Sequence, residues 1–213
     1  MKTKVITDFR VTFERNDTVK KQIFRSALML AVIGFPSIAS AEETIPQDGL
    51  WFKGGIGLSS PVMGSTGPYG DIIHSGGGAA LQLSLGGVVT PGLVVHASLT
   101  STASSGASID IPSGVTGPAT ADLAVGALGI GATYYWNEAS LTARVQTATG
   151  EGLGNSNKWS GALLGLDWNY DFSSSESRRY GVGIGYESST MTTDVGNETG
   201  YGALTLLFNG TFY

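Results

Sequence analysis

Residues 164–172 read LGLDWNYDF, a stretch in which two kinds of side chain alternate without a break. The even-numbered positions carry Leu, Leu, Trp, Tyr and Phe, and the odd-numbered positions carry Gly, Asp, Asn and Asp. Because successive side chains of a β-strand point to opposite faces of the sheet, this spacing predicts a strand with one apolar and one polar face. A helix would repeat with a period of about 3.6 residues instead.

The same alternation recurs along the chain after residue 49, between clusters of Gly, Pro, Ser, Asn and Asp that favour turns. We find no helical period in that region. The alternation predicts eight strands: Leu50–Ser60, Gly77–Val89, Leu93–Thr100, Ala121–Trp136, Ser140–Ala148, Trp159–Phe172, Arg178–Ser188 and Thr199–Tyr213.

The connections between these strands alternate in length. The long ones are Pro61–Gly76, Ser101–Thr120, Thr149–Lys158 and Ser189–Glu198, and the short ones are Thr90–Gly92, Asn137–Ala139 and Ser173–Ser177. Antiparallel neighbours need only tight turns, so a soluble barrel has no reason to gather every long connection at one rim. Outer-membrane barrels do so, with short periplasmic turns, longer extracellular loops and an even number of strands. The sequence therefore predicts an all-β, eight-stranded antiparallel up-and-down transmembrane β-barrel over residues 50–213.

One face of the predicted barrel is apolar and carries no charge, whereas the other face collects the polar side chains. The polar face comprises Lys53, Gln82, His96, Arg144, Gln146, Asp167, Asn169, Asp171, Arg179, Glu187 and Asn209. Arg144 and Asp167 lie on adjacent strands at matching heights, as do Asp171 and Arg179. Buried ions need partners, and an eight-stranded barrel encloses room for side chains only, so we expect a packed plug of ion pairs in the lumen. A narrow conducting pore lined by the same residues remains the alternative.

Charge balance and aromatic positions indicate which face points outward. If the apolar face pointed inward, as in a soluble ligand carrier, the outside would consist of Gly, Ser and Thr with few charges. Four aromatic residues, Trp136, Phe172, Tyr180 and Phe212, lie on the apolar face near the rim with the short turns. Aromatic side chains are enriched at the membrane interface, so we expect these four to form an aromatic girdle. The apolar face is therefore predicted to contact lipid.

Composition excludes several classes of function. The chain has no Cys, so it has neither disulfides nor thiolate metal sites. After residue 41, five basic and fourteen acidic side chains remain, a net charge of −9. Five basic residues spread over that length cannot neutralise a phosphate backbone, so we expect no binding of nucleic acid.

The N-terminal region predicts export. Residues 20–41 read KKQIFRSALMLAVIGFPSIASA, in which basic residues precede an apolar run that is too short to span a bilayer. Ala39, Ser40 and Ala41 supply a cleavage site with small residues. We predict a signal peptide over residues 1–41, with a long stretch before its apolar part, and a short periplasmic segment over residues 42–49.

The chain resembles small eight-stranded bacterial outer-membrane β-barrels of the OmpA/OmpX kind, in particular a Gly-rich group of proteobacterial barrels. The resemblance covers residues 49–213 and rests on the hairpin Gly76–Leu99, on the segment Gly129–Trp136 and on the terminal strand Tyr201–Tyr213. It implies an outer-membrane location, contact with membrane lipid and lipopolysaccharide, and a monomer. It also implies that the barrel-assembly machinery recognises the C-terminal strand, which in such proteins usually ends in an aromatic residue. Here the last two residues are Phe212 and Tyr213, and it is Phe212, not the final Tyr213, that belongs to the apolar alternation.

The same fold hosts anchors, adhesins, channels and lipid-modifying enzymes, so the resemblance does not specify an activity. An enzyme would need a base, a nucleophile and an orienting carboxylate at the outer rim, and His74, Ser75 and Asp71 have the required types. Ser and Asp are common in this region, so chance explains the triplet better. No spacing of His or carboxylates suggests a metal site, and we expect no cofactor. We therefore expect a non-catalytic structural or surface-interaction barrel, with a small-solute channel and a lipid-modifying enzyme as alternatives.

Overall fold

A computed structural model describes residues 46, 48–67, 70–111, 120–152, 158–175, 177–193 and 198–213. The predicted signal peptide and most of the predicted periplasmic segment lie outside these residues. The described part contains no helix that is long and apolar enough to cross a membrane. It contains nine strands: β1 Leu50–Gly67, β2 Gly70–Ser75, β3 Gly78–Thr90, β4 Leu93–Asp110, β5 Thr120–Trp136, β6 Ala139–Gly152, β7 Lys158–Ser175, β8 Arg178–Thr193 and β9 Glu198–Phe212.

The strands form one antiparallel sheet that closes into a ring. From β3 to β9 each strand pairs with the next along the chain, and β1 pairs with both β3 and β9. The closing ladder runs from Phe52 opposite Phe212 to Ser65 opposite Thr199. Strands β2 and β3 share one position, because both lie between β1 and β4 at different heights. The ring therefore has eight positions, which confirms the predicted all-β barrel.

The strands are longer than the sequence predicted. The predicted connections Pro61–Gly76 and Ser101–Thr120 hold the end of β1, all of β2 and the end of β4. Strand β1 has 18 residues, whereas about 9–11 tilted residues suffice to span a membrane. In β4 the prediction stopped at Thr100, where the run of large apolar side chains ends. Over Ser101–Ser108 both faces carry Ser, Thr, Ala and Gly, so the alternation is lost although backbone pairing continues.

The break between β2 and β3 lies beside a β-bulge in β4. The register shifts in β4 between Ser104 and Ala107, where Ser105 and Gly106 lie opposite Asp122 alone in β5. Gly106 has a φ of 65°, a conformation that favours glycine, and its N–H donates a 2.9 Å hydrogen bond to Oδ1 of Asp122. Bulges bend a strand locally, and here β2 takes over the pairing with β1 and β4 from β3.

The predicted apolar face is the outer face of the ring. The exposed fraction is 63% for Leu128, 68% for Ile130 and 53% for Leu206. We call this surface the apolar belt, and its large side chains are Phe52, Ile56, Leu58, Leu81, Leu85, Val95, Leu99, Leu128, Ile130, Tyr134, Leu141, Val145, Leu164, Leu166, Phe172, Val182, Leu204, Leu206, Phe208 and Phe212. An exposed apolar surface that encircles a closed sheet suits a hydrocarbon solvent and not water.

The apolar belt predicts that the free energy of unfolding depends on how deep in the membrane a charged side chain is introduced. Leu128→Arg should lower the free energy of unfolding from lipid vesicles by about 2–4 kcal/mol, because it places a guanidinium in hydrocarbon. Thr190→Arg, which is also exposed but lies beyond the belt on β8, is the control and should cost about 0–1 kcal/mol. Urea titrations read on heat-modifiability gels measure both values. Equal costs at the two positions would refute a lipid-facing belt.

Candidate functional site: the filled lumen

The lumen is the place where polar and titratable side chains gather. All eleven residues of the predicted polar face point inward, and each is at most 6% exposed. They are Lys53, Gln82, His96, Arg144, Gln146, Asp167, Asn169, Asp171, Arg179, Glu187 and Asn209. We call the end of the barrel near Pro91–Gly92 and Asn137–Glu138 the short-turn end, and the opposite end the long-loop end.

Arg144 is the centre of a three-residue ion network. Its guanidinium forms an ion pair with Asp167, in which Nη2 donates to Oδ1 over 3.1 Å and Nη1 to Oδ2. Nη2 also donates to Oε1 of Glu187 over 3.1 Å. Gln82 donates a 3.2 Å hydrogen bond to Asp167 from β3, which lies on the opposite wall of the eight-position ring from β7. The expected pairing of Arg144 with Asp167 is present, and the network crosses the lumen.

A second ion pair lies closer to the short-turn end. Arg179 donates from Nη1 to Oδ2 of Asp171 over 3.0 Å, and its guanidinium carbon lies 5.1 Å from the centre of the Tyr135 ring. Arg179 also donates to the carbonyl oxygen of Asn137 in a short turn. Lys53 is buried near the Arg144 network and the Arg179–Asp171 pair, where the carboxylates of Asp167 and Asp171 attract its ammonium group. The three buried cations thus match three buried carboxylates, which limits the cost of burial.

Aromatic side chains fill the lumen at the short-turn end. Trp51, Val94 and Tyr135 form a buried cluster, and Nε1 of Trp51 donates a 3.0 Å hydrogen bond to the hydroxyl of Tyr135 across the ring. The ring of His96 stacks on Trp51 with centres 4.9 Å apart, and its Nε2 lies 3.1 Å from Oγ1 of Thr133. The structure thus places His96 in the lumen, where it is packed and hydrogen-bonded.

A larger apolar cluster fills the lumen towards the long-loop end. Its buried members are Met63, Leu123, Val125, Ala127, Ala148, Leu163, Met191, Tyr201 and Ala203. The hydroxyl of Tyr201 lies 2.6 Å from Oγ1 of Thr102, a hydrogen bond that again joins distant walls. The ion network therefore lies between an aromatic layer and an apolar layer.

The space between the layers is small. A cavity of about 10 Å³ lies beside the ion network, lined by Gln82, Thr100, Arg144, Glu187 and Thr205 among others. Such a volume admits about one water molecule. Within the described residues, side chains therefore meet across the lumen at three heights.

Glycines make room for the large polar side chains. A Cβ atom at Gly165 would lie 2.8 Å from Nη2 of Arg144, and one at Gly183 would lie 2.9 Å from Nδ2 of Asn209. In the ladder Gly165 pairs with Arg144, Gly183 with Asn169 and Gly185 with Asp167. A long polar side chain on one strand thus lies over a glycine on its neighbour.

The predicted aromatic girdle lies at the short-turn end. The ring centres of Trp136 and Tyr134 are 6.1 Å apart, and those of Tyr180 and Phe212 are 6.1 Å apart. Phe172 is 56% exposed and packs against Phe208. The structure adds Phe52, 6.3 Å from Phe212, across the seam that closes the ring.

His74, Ser75 and Asp71 lie on two different faces of one strand. All three belong to β2, where side chains alternate between faces, so His74 points to one side and Asp71 and Ser75 to the other. The described residues also contain no group of three or more His, Cys, Asp or Glu that would hold a metal ion.

Sequence reasoning missed the two layers that flank the ion network. Trp51 precedes Lys53 by two positions and Tyr135 follows Thr133 by two, so both share the parity of the inward face. Met63, Met191 and Tyr201 lie beyond the ends of the clear alternation or among small residues. Parity counted from the buried polar residues of each strand would have assigned all five to the lumen.

Comparison with known proteins supports the architecture. No protein-family model matches the chain, and no curated protein matches it. Among solved structures it is similar to Neisserial surface protein A, with a TM-score of 0.50, 14% identity, and coverage of 77% of this chain and 98% of that one. It is also similar to OprG from Pseudomonas aeruginosa (TM-score 0.45, 10% identity, 79% and 98% coverage). A third is Ail, the attachment invasion locus protein of Yersinia pestis (TM-score 0.44, 16% identity, 75% and 97% coverage). The first likeness shows that the chain has the fold of a small outer-membrane β-barrel.

The glycines that lie under polar lumen side chains predict a loss of stability that depends on which glycine is replaced. Gly185→Ala should lower the free energy of unfolding by about 1–3 kcal/mol, because its Cβ atom would lie 2.5 Å from Oγ1 of Thr205 and even closer to Asp167. Gly126→Ala is the control, since no atom lies within 4 Å of the added carbon. Urea unfolding in detergent compares the two, and equal stability of both variants would count against tight packing of the lumen.

The ion network predicts that removing one partner costs more than removing all. Arg144→Met should lower the free energy of unfolding by about 3–5 kcal/mol, because Asp167 and Glu187 lose their cation while buried. Adding Asp167→Asn and Glu187→Gln to the same chain should restore most of this loss. Urea unfolding of both variants tests the coupling, and a triple variant no more stable than the single one would contradict it.

Proposed function

We propose that this chain is a non-catalytic outer-membrane β-barrel whose closed lumen makes it a rigid scaffold for surface loops. The single observation that carries the proposal is the filling of the lumen in three layers. Gln82 meets Asp167, Trp51 meets Tyr135 and Thr102 meets Tyr201 across the ring, each within hydrogen-bond distance. A barrel with this interior has no path for solute, so its functional surfaces are external.

The orientation follows from the belt and the turns. In outer-membrane barrels short turns lie in the periplasm and long loops outside the cell, so the short-turn end is the periplasmic end. Strands of up to 18 residues then rise beyond the belt and display their connections away from the lipid. Because each of these strands belongs to the closed ring, the strand ends from which the loops begin are held at fixed spacing. This geometry suits a protein that contacts partners at the cell surface.

The contacts made by the barrel wall are part of the same proposal. The apolar belt would contact phospholipid and lipopolysaccharide chains, and a monomer suffices because the ring has no unpaired edge at the seam. Strand β9 ends with Phe212 in the outward girdle and Tyr213 packed against the aromatic layer of the lumen. We expect the assembly machinery to recognise this strand by its outward Phe212.

A narrow channel is the second candidate, favoured by one observation. The ion network is made of charges that could rearrange, and it borders a cavity of about 10 Å³. Conduction would also require the aromatic layer and the apolar layer to move, since each fills the lumen separately. No comparable observation favours an enzyme, because β2 separates His74 from Asp71 and Ser75.

Fractionation and electrical recording test the proposal. We expect the protein in the outer-membrane fraction, with different gel mobility before and after boiling. In planar bilayers neither the native chain nor Arg144→Ala/Asp167→Ala should show conductance steps, because two further layers still block the lumen. Steps in the native chain would favour the channel, and steps in the double variant alone would show that the ion network is the gate.

A further inference from the structure

The apolar belt contains a groove on the side formed by β1, β3, β4 and β5. Its walls are Phe52, Leu83, Leu85, Leu99 and Leu128, and its floor is Ala97 with the backbone at Ser84 and Ser98. Its volume is about 170 Å³. For comparison, an apolar cavity of about 150 Å³ accommodates a molecule the size of benzene. The groove is therefore wide enough for a short length of hydrocarbon chain.

The register of the sheet explains why the groove lies here. Phe52, Leu85 and Ala97 occupy one row across the sheet, because Phe52 pairs with Leu85 and Leu85 with Ala97. In the next row Gly54, Leu83 and Leu99 pair in the same way. The small side chain of Ala97 lies between large ones, which leaves a depression bounded by leucines and one phenylalanine. The hydrogen bond between the hydroxyls of Ser84 and Ser98 is 3.2 Å long and lies behind the floor, so the floor exposes no polar group to the groove.

The position of the groove along the barrel axis determines which leaflet of the membrane lies against it. Phe52 contacts Phe212 in the girdle at the short-turn end, which is the periplasmic end in the proposed orientation. The groove extends from there towards Leu128, in the half of the belt nearer the periplasm. The periplasmic leaflet of a bacterial outer membrane is built of phospholipid, whereas lipopolysaccharide occupies the outer leaflet. The hydrocarbon that reaches this position is therefore a phospholipid acyl chain.

The charge distribution determines what such a site can recognise. The sequence contains no Lys or Arg between Lys53 and Arg144, which are both buried in the lumen. The turn Pro91–Gly92 next to the groove therefore offers no cation to a phosphate. A basic residue near the surface is the usual means of selecting an anionic head group. Recognition here would rest on the chain alone.

We infer that this groove is a binding site for one acyl chain of a periplasmic-leaflet phospholipid and that it does not discriminate between head groups. The inference rests on the proposed outer-membrane location. The chain would lie against Ala97, with Leu85 and Leu99 on either side and Phe52 at the interfacial end. In a bilayer such a chain exchanges with other hydrocarbon, so the preference comes from van der Waals contact and not from exclusion of water.

Native mass spectrometry of the detergent-folded barrel, mixed with phosphatidylethanolamine or phosphatidylglycerol of identical chains, tests the site. We expect the native chain to retain one lipid, and to retain both lipids equally. Ala97→Phe fills the groove and should reduce retention about fivefold, through the loss of many weak contacts. Ala143→Phe is the matched control, because Ala143 is also an exposed alanine in the belt, on β6 and away from the groove, and it should retain lipid like the native chain.

Heat-modifiability of every sample separates the possible failures. If the native chain forms no heat-modifiable barrel and enters no vesicles, the proposed function fails. If it folds but Ala97→Phe retains lipid like the native chain, or Ala143→Phe loses as much, the groove is not the site. A strong preference for phosphatidylglycerol would overturn the claim that the chain alone is recognised. Should Ala97→Phe not fold, Ala97→Leu replaces it with the same expected direction and the same control.

Discussion

The closure of the ladder between β1 and β9 is the constraint on which the remaining structure depends. In hydrocarbon no water is available to pair with backbone N–H and C=O groups, so a sheet is stable there only when its two edges meet. The seam from Phe52 to Ser65 meets this requirement along nearly the whole of β1. It also fixes the number of positions in the ring at eight, and with it the width of the lumen. Every other feature of the interior follows from that narrow width.

A lumen of this width must be packed, and the packing obeys a simple pairing rule. Long polar side chains lie beside glycines on the adjacent strand, as Arg144 does with Gly165 and Asp167 with Gly185. The rule accounts for inward glycines such as Gly165, Gly183 and Gly185, where a Cβ atom would meet the polar side chain on the neighbouring strand. The charges are matched and enclosed between an aromatic and an apolar layer. Together these side chains form the packed core of the barrel, as apolar side chains do in a soluble domain. The barrel is thus filled like a protein core with a polar centre.

The sequence predicted those parts of the fold in which side-chain chemistry alternates strongly. Over residues 164–172 the contrast between Leu, Trp or Phe and Asp or Asn left one interpretation, and the structure places both faces as expected. The part of the wall at the long-loop end was not predictable in this way, because residues such as Ser101–Ala107 are small on both faces and backbone pairing alone keeps them in the sheet. Cross-lumen contacts such as Trp51 with Tyr135 could not be predicted either, since they depend on the curvature that brings β1 near β5, three positions away in the ring. Alternation gives the face of a residue and not the partner it meets across the ring.

The distribution of basic residues limits how the outer wall can interact with its surroundings. Of the five that follow residue 41, Lys53, Arg144 and Arg179 are buried in the lumen. Lys158 lies 3.8 Å from Glu151 on the exposed wall, and Arg178 is exposed at the short-turn end. Most of the outer surface therefore has no cation with which to attract lipid phosphate, so the proposed contact with lipid would depend on the shape of the belt, the aromatic girdle and the fit of hydrocarbon chains. Because the buried charges are balanced inside the lumen, the outer wall offers a binding partner apolar shape and few charges. The depression at Ala97 can therefore bind a hydrocarbon chain, as we infer, although no charged group surrounds it.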